Sequence, residues 1–426
     1  MDYELVLKSA RIDDEKPLVD IGIESGKIAK IGINLKGQRE IDLGGNVVTP
    51  TFFESHIHMI KALLDKVKPN LEGTLAGAIS ITGSLKKNFE YDEVRHRAQE
   101  ILDMLLSHGT TFIRAEPDTD PLAHTIGTKV ALDLKKDYKE FADIQVVAFA
   151  QEGLVKSEGA YEILDEAMKM GSDVVGGCPY NENDYEGTKQ HIDMIFELGK
   201  KYNKPVDFHA DFGDNIDDKR YRSIDYIIKK TKEEGYEGKV SVGHMTSLSS
   251  VEPAVLKDTI KRMADADITL IPLPATDLFL SGRGDENKVR RGVLNPIPFV
   301  EGGVNVAFSS NNIRNAFTPF GRGDLLMIGA IYEHVAQLGT IANQKMLLDM
   351  ITKNPAKLFG VEETYGLEEG KKADLNVLGT KHVSDIFLDV PVREYVIKHG
   401  NIIYHSNLDE TKTWNHSKAT EIEISA

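Results

Sequence analysis

The chain has 426 residues, 41% hydrophobic and 28% charged, an ordinary globular balance that excludes disordered, collagen-like and disulfide-scaffold classes. Its 51 Lys and Arg against 67 Asp and Glu leave a net charge of −16. That charge repels phosphate backbones and anionic lipid, so neither nucleic acid nor a membrane is expected as a partner. The single cysteine, Cys178, rules out an intrachain disulfide and fits a reducing compartment. With no basic, apolar leader and no apolar run long enough to span a bilayer, a cytoplasmic protein is expected.

In chain order, residues 2–8, 18–32 and 39–50 are short runs of period two, as in half-exposed antiparallel strands. Eight strand-like runs follow: Val47–Phe53, Thr111–Arg114, Ile144–Ala150, Val174–Gly177, Val206–His209, Val240–Gly243, Ile268–Leu273 and Val304–Ser309. Between most of them apolar residues recur at helical spacing, as in Ile192, Ile195, Phe196 and Leu198. Asp324–Leu338 and Gln344–Thr352 read as closing helices. Strand patterns then return at Ala373–Leu378, Arg393–Lys398 and Ile402–Tyr404, with a further edge strand expected at Glu421–Ser425.

Eight buried strands alternating with helices predict an α/β fold, a TIM-type (β/α)8 barrel. A small β-sandwich domain formed by both chain ends completes it. The expected boundaries are 1–50 and 359–426 for the small domain and 51–358 for the barrel.

In such barrels reactive groups sit at the C-terminal ends of strands. The first strand ends Glu54-Ser55-His56-Ile57-His58. Residues two apart on a strand face the same way, so both imidazoles can enter the barrel mouth. A His-x-His alone is a weak signal, but His209 and His244 end the fifth and sixth strands. Four of the thirteen histidines thus fall at strand ends, where neutral imidazoles bind zinc or ferrous iron. Asp211, two residues after His209, faces the same side on a continuing strand and is a candidate base. Glu54, Glu116 and Asp118 read instead as structural carboxylates that hold backbone amides or Arg114. Cys178 reads as a small buried hydrophobe.

Further motifs are more specific. They are Thr49-Pro50 leading into His56-Ile57-His58, Gln151-Glu152-Gly153, Gly176-Gly177-Cys178-Pro179, and Leu280-Ser281-Gly282-Arg283 followed by Arg290-Arg291-Gly292. Gly303–Phe308, Pro319-Phe320-Gly321, Asn354-Pro355-Ala356-Lys357 and Glu369–Leu375 continue the series. On these residues the chain resembles the cytosine deaminase branch of the amidohydrolase superfamily and the N-isopropylammelide amidohydrolases, almost end to end.

The resemblance implies one divalent metal ion, Zn2+ or Fe2+, held by His56, His58, His209 and the strand-eight position, Asn311. It implies that His244 polarises water or substrate, that Gln151 reads an amide edge of a heterocycle, and that Lys61 contacts the substrate. Phe317 stands where the deaminases place an aromatic ring over the substrate. The reaction implied is hydrolysis of a C–N bond on a cyclic amidine or amino-substituted heterocycle of pyrimidine or triazine type. Three positions depart from the pattern. Asn311 replaces an aspartate, so the strand-eight ligand carries no charge. Phe212 stands where the deaminases carry a glutamate that serves the ring nitrogen. Ile60 replaces an aspartate of the triazine relatives.

The expected function is therefore a metal-dependent amidohydrolase with altered acid–base residues, acting on a small heterocycle, with a homo-oligomer left open. The alternative is a binding protein that keeps the pocket without the chemistry. A third reading is a hydrolase of unrelated substrate with Asp211 as its base.

Overall fold

Leu5, Leu7, Ile21 and Ile23 are spaced two apart on their strands and share one buried face. The computed structural model describes residues 2–406. It places these four side chains in β1 (Tyr3–Ala10) and β2 (Val19–Glu24). With β3 (Lys27–Gly32) and β4 (Gly37–Asp42) they form a sheet ordered β3-β2-β1-β4, parallel only between β1 and β4.

The expected first barrel strand, Val47–Phe53, is two strands. Pro50 has no N–H to extend a ladder, and the chain changes sheets there. β5 (Val47–Pro50) stays with the chain ends, while β6 (Phe52–Ile57) begins the barrel. β7 (Thr110–Ala115), β8 (Asp143–Ala150), β9 (Val174–Gly177), β10 (Val206–Ala210), β11 (Val240–His244) and β12 (Ile268–Ile271) follow. All seven are parallel and lie in sequence order.

The eighth expected strand, Val304–Ser309, forms no continuous ladder. It closes the barrel through bridges from Val306 to Leu270 and from Asn311 to Ile57. Side chains take part of the intervening backbone bonding. Ser55 N–H donates to Ser309 Oγ (2.7 Å), and Ser310 N–H donates to Glu54 Oε1 (2.9 Å). Glu54 is thus structural, as read from the sequence.

Helices such as Tyr91–Ser107, Ile126–Asp137, Tyr185–Tyr202 and Ile224–Glu234 return the chain between strands. Their apolar stripes pack on the outer barrel face, where Ile192, Ile195 and Phe196 meet Phe208; each such side chain contributes about 1.5–3 kcal/mol of burial. A helix the sequence reading passed over, Leu75–Lys86, lies between β6 and β7 and is capped by Thr74. No helix among the described residues is long and apolar enough to cross a membrane.

After the helix Lys353–Phe359 the chain forms β13 (Leu375–Leu378), β14 (Arg393–Lys398) and β15 (Asn401–His405). Their antiparallel sheet is ordered β15-β14-β13-β5. Val48, Leu375, Val377 and Ile397 pack against Leu5 and Ile21, so the two chain ends build one β-sandwich. The edge strand expected at 421–425 lies outside the described residues.

Candidate metal centre and active site

His56 lies on β6 and His58 just after it, at the start of a short turn, Met59–Lys61. His209 lies on β10, and His244 ends β11. The four rings converge: His56–His209 centroids are 4.5 Å apart, His58–His209 4.9 Å and His209–His244 4.9 Å. All four are buried. Desolvation lowers His56 to about 3 and holds His58 and His209 well below the usual imidazole value. Neutral imidazole is the form that binds a metal.

The structure adds a residue that the sequence reading assigned to scaffolding. Glu116, one residue beyond β7, has Oε1 2.7 Å from His56 Nδ1 and Oε2 3.1 Å from His209 Nε2. His56, His58, Glu116 and His209 each bring one donor atom within 4.8 Å of the others. Glu116 Oε1 and His56 Nδ1 are close, yet neither makes a hydrogen bond. The Nε2 atoms of His56 and His209 approach to 2.7 Å. Lone pairs crowded in this way suit donors arranged about a shared cation, and three imidazoles with a carboxylate suit zinc or ferrous iron.

The backbone carbonyl of Glu116 lies 3.0 Å from His58 Nδ1. With Nδ1–H donating there, Nε2 of His58 is left as a free donor atom. Burial raises the Glu116 carboxyl to about 8, against the pull of the Arg114 and Lys61 charges. The barrel rule that located the histidines applies equally to the end of the second strand. From local pattern alone, a carboxylate at that strand end reads as scaffold, because nothing in the adjacent sequence says which groups it will meet.

Around this cluster lies a pocket lined by Lys61, Leu75, Gln151, Tyr180, Phe212, His244, Leu280, Asn311 and Phe317. Gln151, Lys61, Phe212 and Phe317 thus line one pocket. Lys61 is buried, and its Nζ donates to Gln151 Oε1 (2.9 Å) and Asp118 Oδ1 (3.0 Å). It also stands 5.1 Å from the centre of the Phe317 ring. With Oε1 occupied, Gln151 has its Nε2 left to donate to a ligand.

His244 Nδ1 is 2.6 Å from Asp277 Oδ1, and Asp277 Oδ2 accepts from Leu273 N–H at 3.1 Å. Phe212 lies against His244 with ring centres 4.5 Å apart. The cavity holds about 20 Å³, room for about one water, so a ring enters only when lining side chains move apart. A larger apolar cavity of about 470 Å³, beside Leu278, Phe320 and Met327, carries no imidazole.

The amidohydrolase family model matches residues 67–404. The chain is 30% identical over 411 residues to the N-isopropylammelide isopropyl amidohydrolase of Pseudomonas sp. (strain ADP), covering 94% of this chain and 97% of that one. The chain belongs to the amidohydrolase family. It is also 25% identical over 368 residues to a pterin deaminase of Rhizobium rhizogenes, covering 86% of this chain and 82% of the relative. The crystal structure of 5-methylcytosine deaminase from Klebsiella pneumoniae with 5-fluorocytosine superposes with a TM-score of 0.91, at 25% identity, over 96% of this chain and 99% of that one. Like these relatives, this amidohydrolase is a hydrolase of carbon–nitrogen bonds outside peptides.

Asp211 does not join the site. The chain leaves β10 after Ala210, and Asp211 adopts φ 50, so the alternation that would face it inward ends before it. Its Oδ1 accepts from Ser223 N–H and Oγ–H, each at 2.6 Å, and Oδ2 accepts from Ile224 N–H at 3.3 Å. It anchors the start of the helix Ile224–Glu234. Asn311 does line the pocket, with a buried Oδ1 that has no hydrogen-bond partner.

His244 (φ 69) and Asn311 (φ 61) also hold left-handed backbone, so strain gathers where the strands meet the pocket. Cys178 is buried in one apolar cluster with Tyr180, Phe212 and Phe317 but does not itself line the pocket, and burial pushes its thiol up to about 12.

Proposed function

We propose that this amidohydrolase removes an amino or alkylamino group from a flat, neutral nitrogen heterocycle of pyrimidine or triazine type, using one divalent metal ion. The observation that carries the reading is a single pocket that joins aromatic walls, Phe212 and Phe317, to the His56–His58–Glu116–His209 cluster, with Gln151 and Lys61 beside it. The named activities of the relatives support it.

His56, His58, Glu116 and His209 would hold the ion, with Asn311 Oδ1 at its side. Bound there, a divalent ion supplies Lewis acidity and brings the pKa of water toward about 7. His244, its Nδ1 held by Asp277, has Nε2 free to take a proton from the attacking water and return it to the leaving amine. Water adds oxygen to the ring carbon, the C–N bond breaks, and the amine leaves with that proton. Phe212 and Phe317 shape a slot for a flat ring. Gln151 Nε2 donates to a ring acceptor. Phe212 carries no proton, so a substrate that needs its ring nitrogen protonated is poorly served.

The test is a panel of aminopyrimidines and alkylamino-triazines, assayed for released ammonia or amine with zinc and, separately, with ferrous iron. Alkylamino rings should turn over and cytosine should not. Cytosine deamination with kcat/KM of about 10⁴ M⁻¹s⁻¹ or above would refute the assignment of the acid–base groups. Tight binding of rings without turnover by metal-loaded protein would favour a binding protein instead.

A further inference from the structure

The position on strand eight that should bring a charged ligand is Asn311, and the three histidines are neutral. A buried dication held only by neutral donors lacks the counter-charge that a low-dielectric site demands. We infer that Glu116, at the end of β7, supplies that charge, so that the carboxylate of the metal centre stands on strand two instead of strand eight. The inference rests on the metal-dependent reading above.

Three observations carry it. First, Glu116 is the only carboxylate, among the described residues, with an oxygen inside the cluster of donor atoms. Second, the neighbouring buried carboxylates are already engaged. Asp118 pairs with Lys61 and Lys86, Asp207 with Arg114 and Ser241, and Asp277 with His244. Among the described residues the Glu116 carboxylate instead meets only His56 and His209, and its fully buried Oε1 has no hydrogen bond.

Third, its backbone is fixed to β6 between the two strand-one histidines. Its N–H donates to Ile57 O (2.9 Å), and its carbonyl holds His58 Nδ1 (3.0 Å). The side chain is thereby set facing His56 and His209, and a substitution of the side chain alone keeps both backbone bonds.

The experiment titrates metal-free protein with Co2+, followed by its visible absorption, and with Zn2+ against a chromophoric chelator. Wild type should bind one ion per chain. Glu116→Gln should weaken binding by about 100-fold or more, beyond the loss seen when supporting residues of metal sites are changed. Asn311→Ala should change it less than tenfold. The double variant Glu116→Gln/Asn311→Asp should recover to within tenfold of wild type, because the carboxylate returns from the other strand.

Circular dichroism checks that each variant folds. Should Glu116→Gln not fold, Glu116→Asp carries the test, with weakening of about tenfold expected and unchanged affinity overturning the inference. If Glu116→Gln binds one ion as tightly as wild type, the inference fails while the metal-dependent reading stands. If wild type binds no ion at micromolar zinc, both fail.

Discussion

Replacing Asp277 by Asn tests the acid–base assignment with almost no change of shape. In the wild type one carboxylate oxygen accepts from Leu273 N–H at 3.1 Å and the other lies 2.6 Å from His244 Nδ1. Both side chains are buried. A carboxylate accepts on both sides, so Nδ1 carries the proton and Nε2 is free as a base.

An amide cannot accept on both sides. If its oxygen stays on Leu273 N–H, its NH2 meets Nδ1, and the His244 proton moves to Nε2, where the base is needed. If it flips, NH2 faces Leu273 N–H, leaving buried donors unpaired at about 1–3 kcal/mol. The first arrangement therefore prevails by roughly one to two powers of ten. A positioned general base contributes about 10²- to 10⁴-fold, so kcat should fall by that factor, about 3–5 kcal/mol in the barrier. KM, metal content and melting temperature should stay near wild type. The assay is released amine on the best substrate of the panel, with metal stoichiometry measured on the same sample. A variant with full metal and kcat within threefold of wild type would refute the role given to His244 and Asp277.

Asp211→Ala should cost about 1–3 kcal/mol of stability, read from urea unfolding, because it strands the Ser223 and Ile224 donors. The kcat of its folded fraction should be unchanged; a hundredfold fall without loss of stability would return Asp211 to the chemistry. Lys86→Met should be more destabilising, by about 3–5 kcal/mol. Lys86 lies 2.8 Å from Asp118, 2.8 Å from Asp120 and 2.6 Å from Glu152, and its loss leaves carboxylates unpaired. Burial works to raise Asp118, but the Lys61 and Lys86 charges outweigh it and hold its carboxyl well below the usual range. A depressed acid contributes stability above its unfolded pKa of about 3.9 and loses it as pH falls further. The gap between wild type and Lys86→Met should therefore be full at neutral pH and narrow below about pH 4; a gap independent of pH would refute the pairing.

Sequence by itself determined what depends on local periodicity. Period-two runs placed the N-terminal strands, short strand-like runs placed most barrel strands, helical spacing placed most helices, and the strand parity of His56 and His58 with the strand-end positions of His209 and His244 put four imidazoles at one mouth. The motifs from His56 to Leu375 identified the family. Tertiary structure alone decided which groups Glu116, Asp277 and Asp211 meet. Glu116 reaches His209 from 93 residues away, and Asp277 reaches His244 from 33; no local pattern encodes which group a carboxylate will meet. Asp211 shows the same limit from the other side. Parity predicts a facing direction only while a strand continues, and the left-handed turn after Ala210 sends that side chain to a helix end instead of the pocket. Barrel closure brings distant strand ends together, so the site's geometry became legible only once the eight segments shared one mouth.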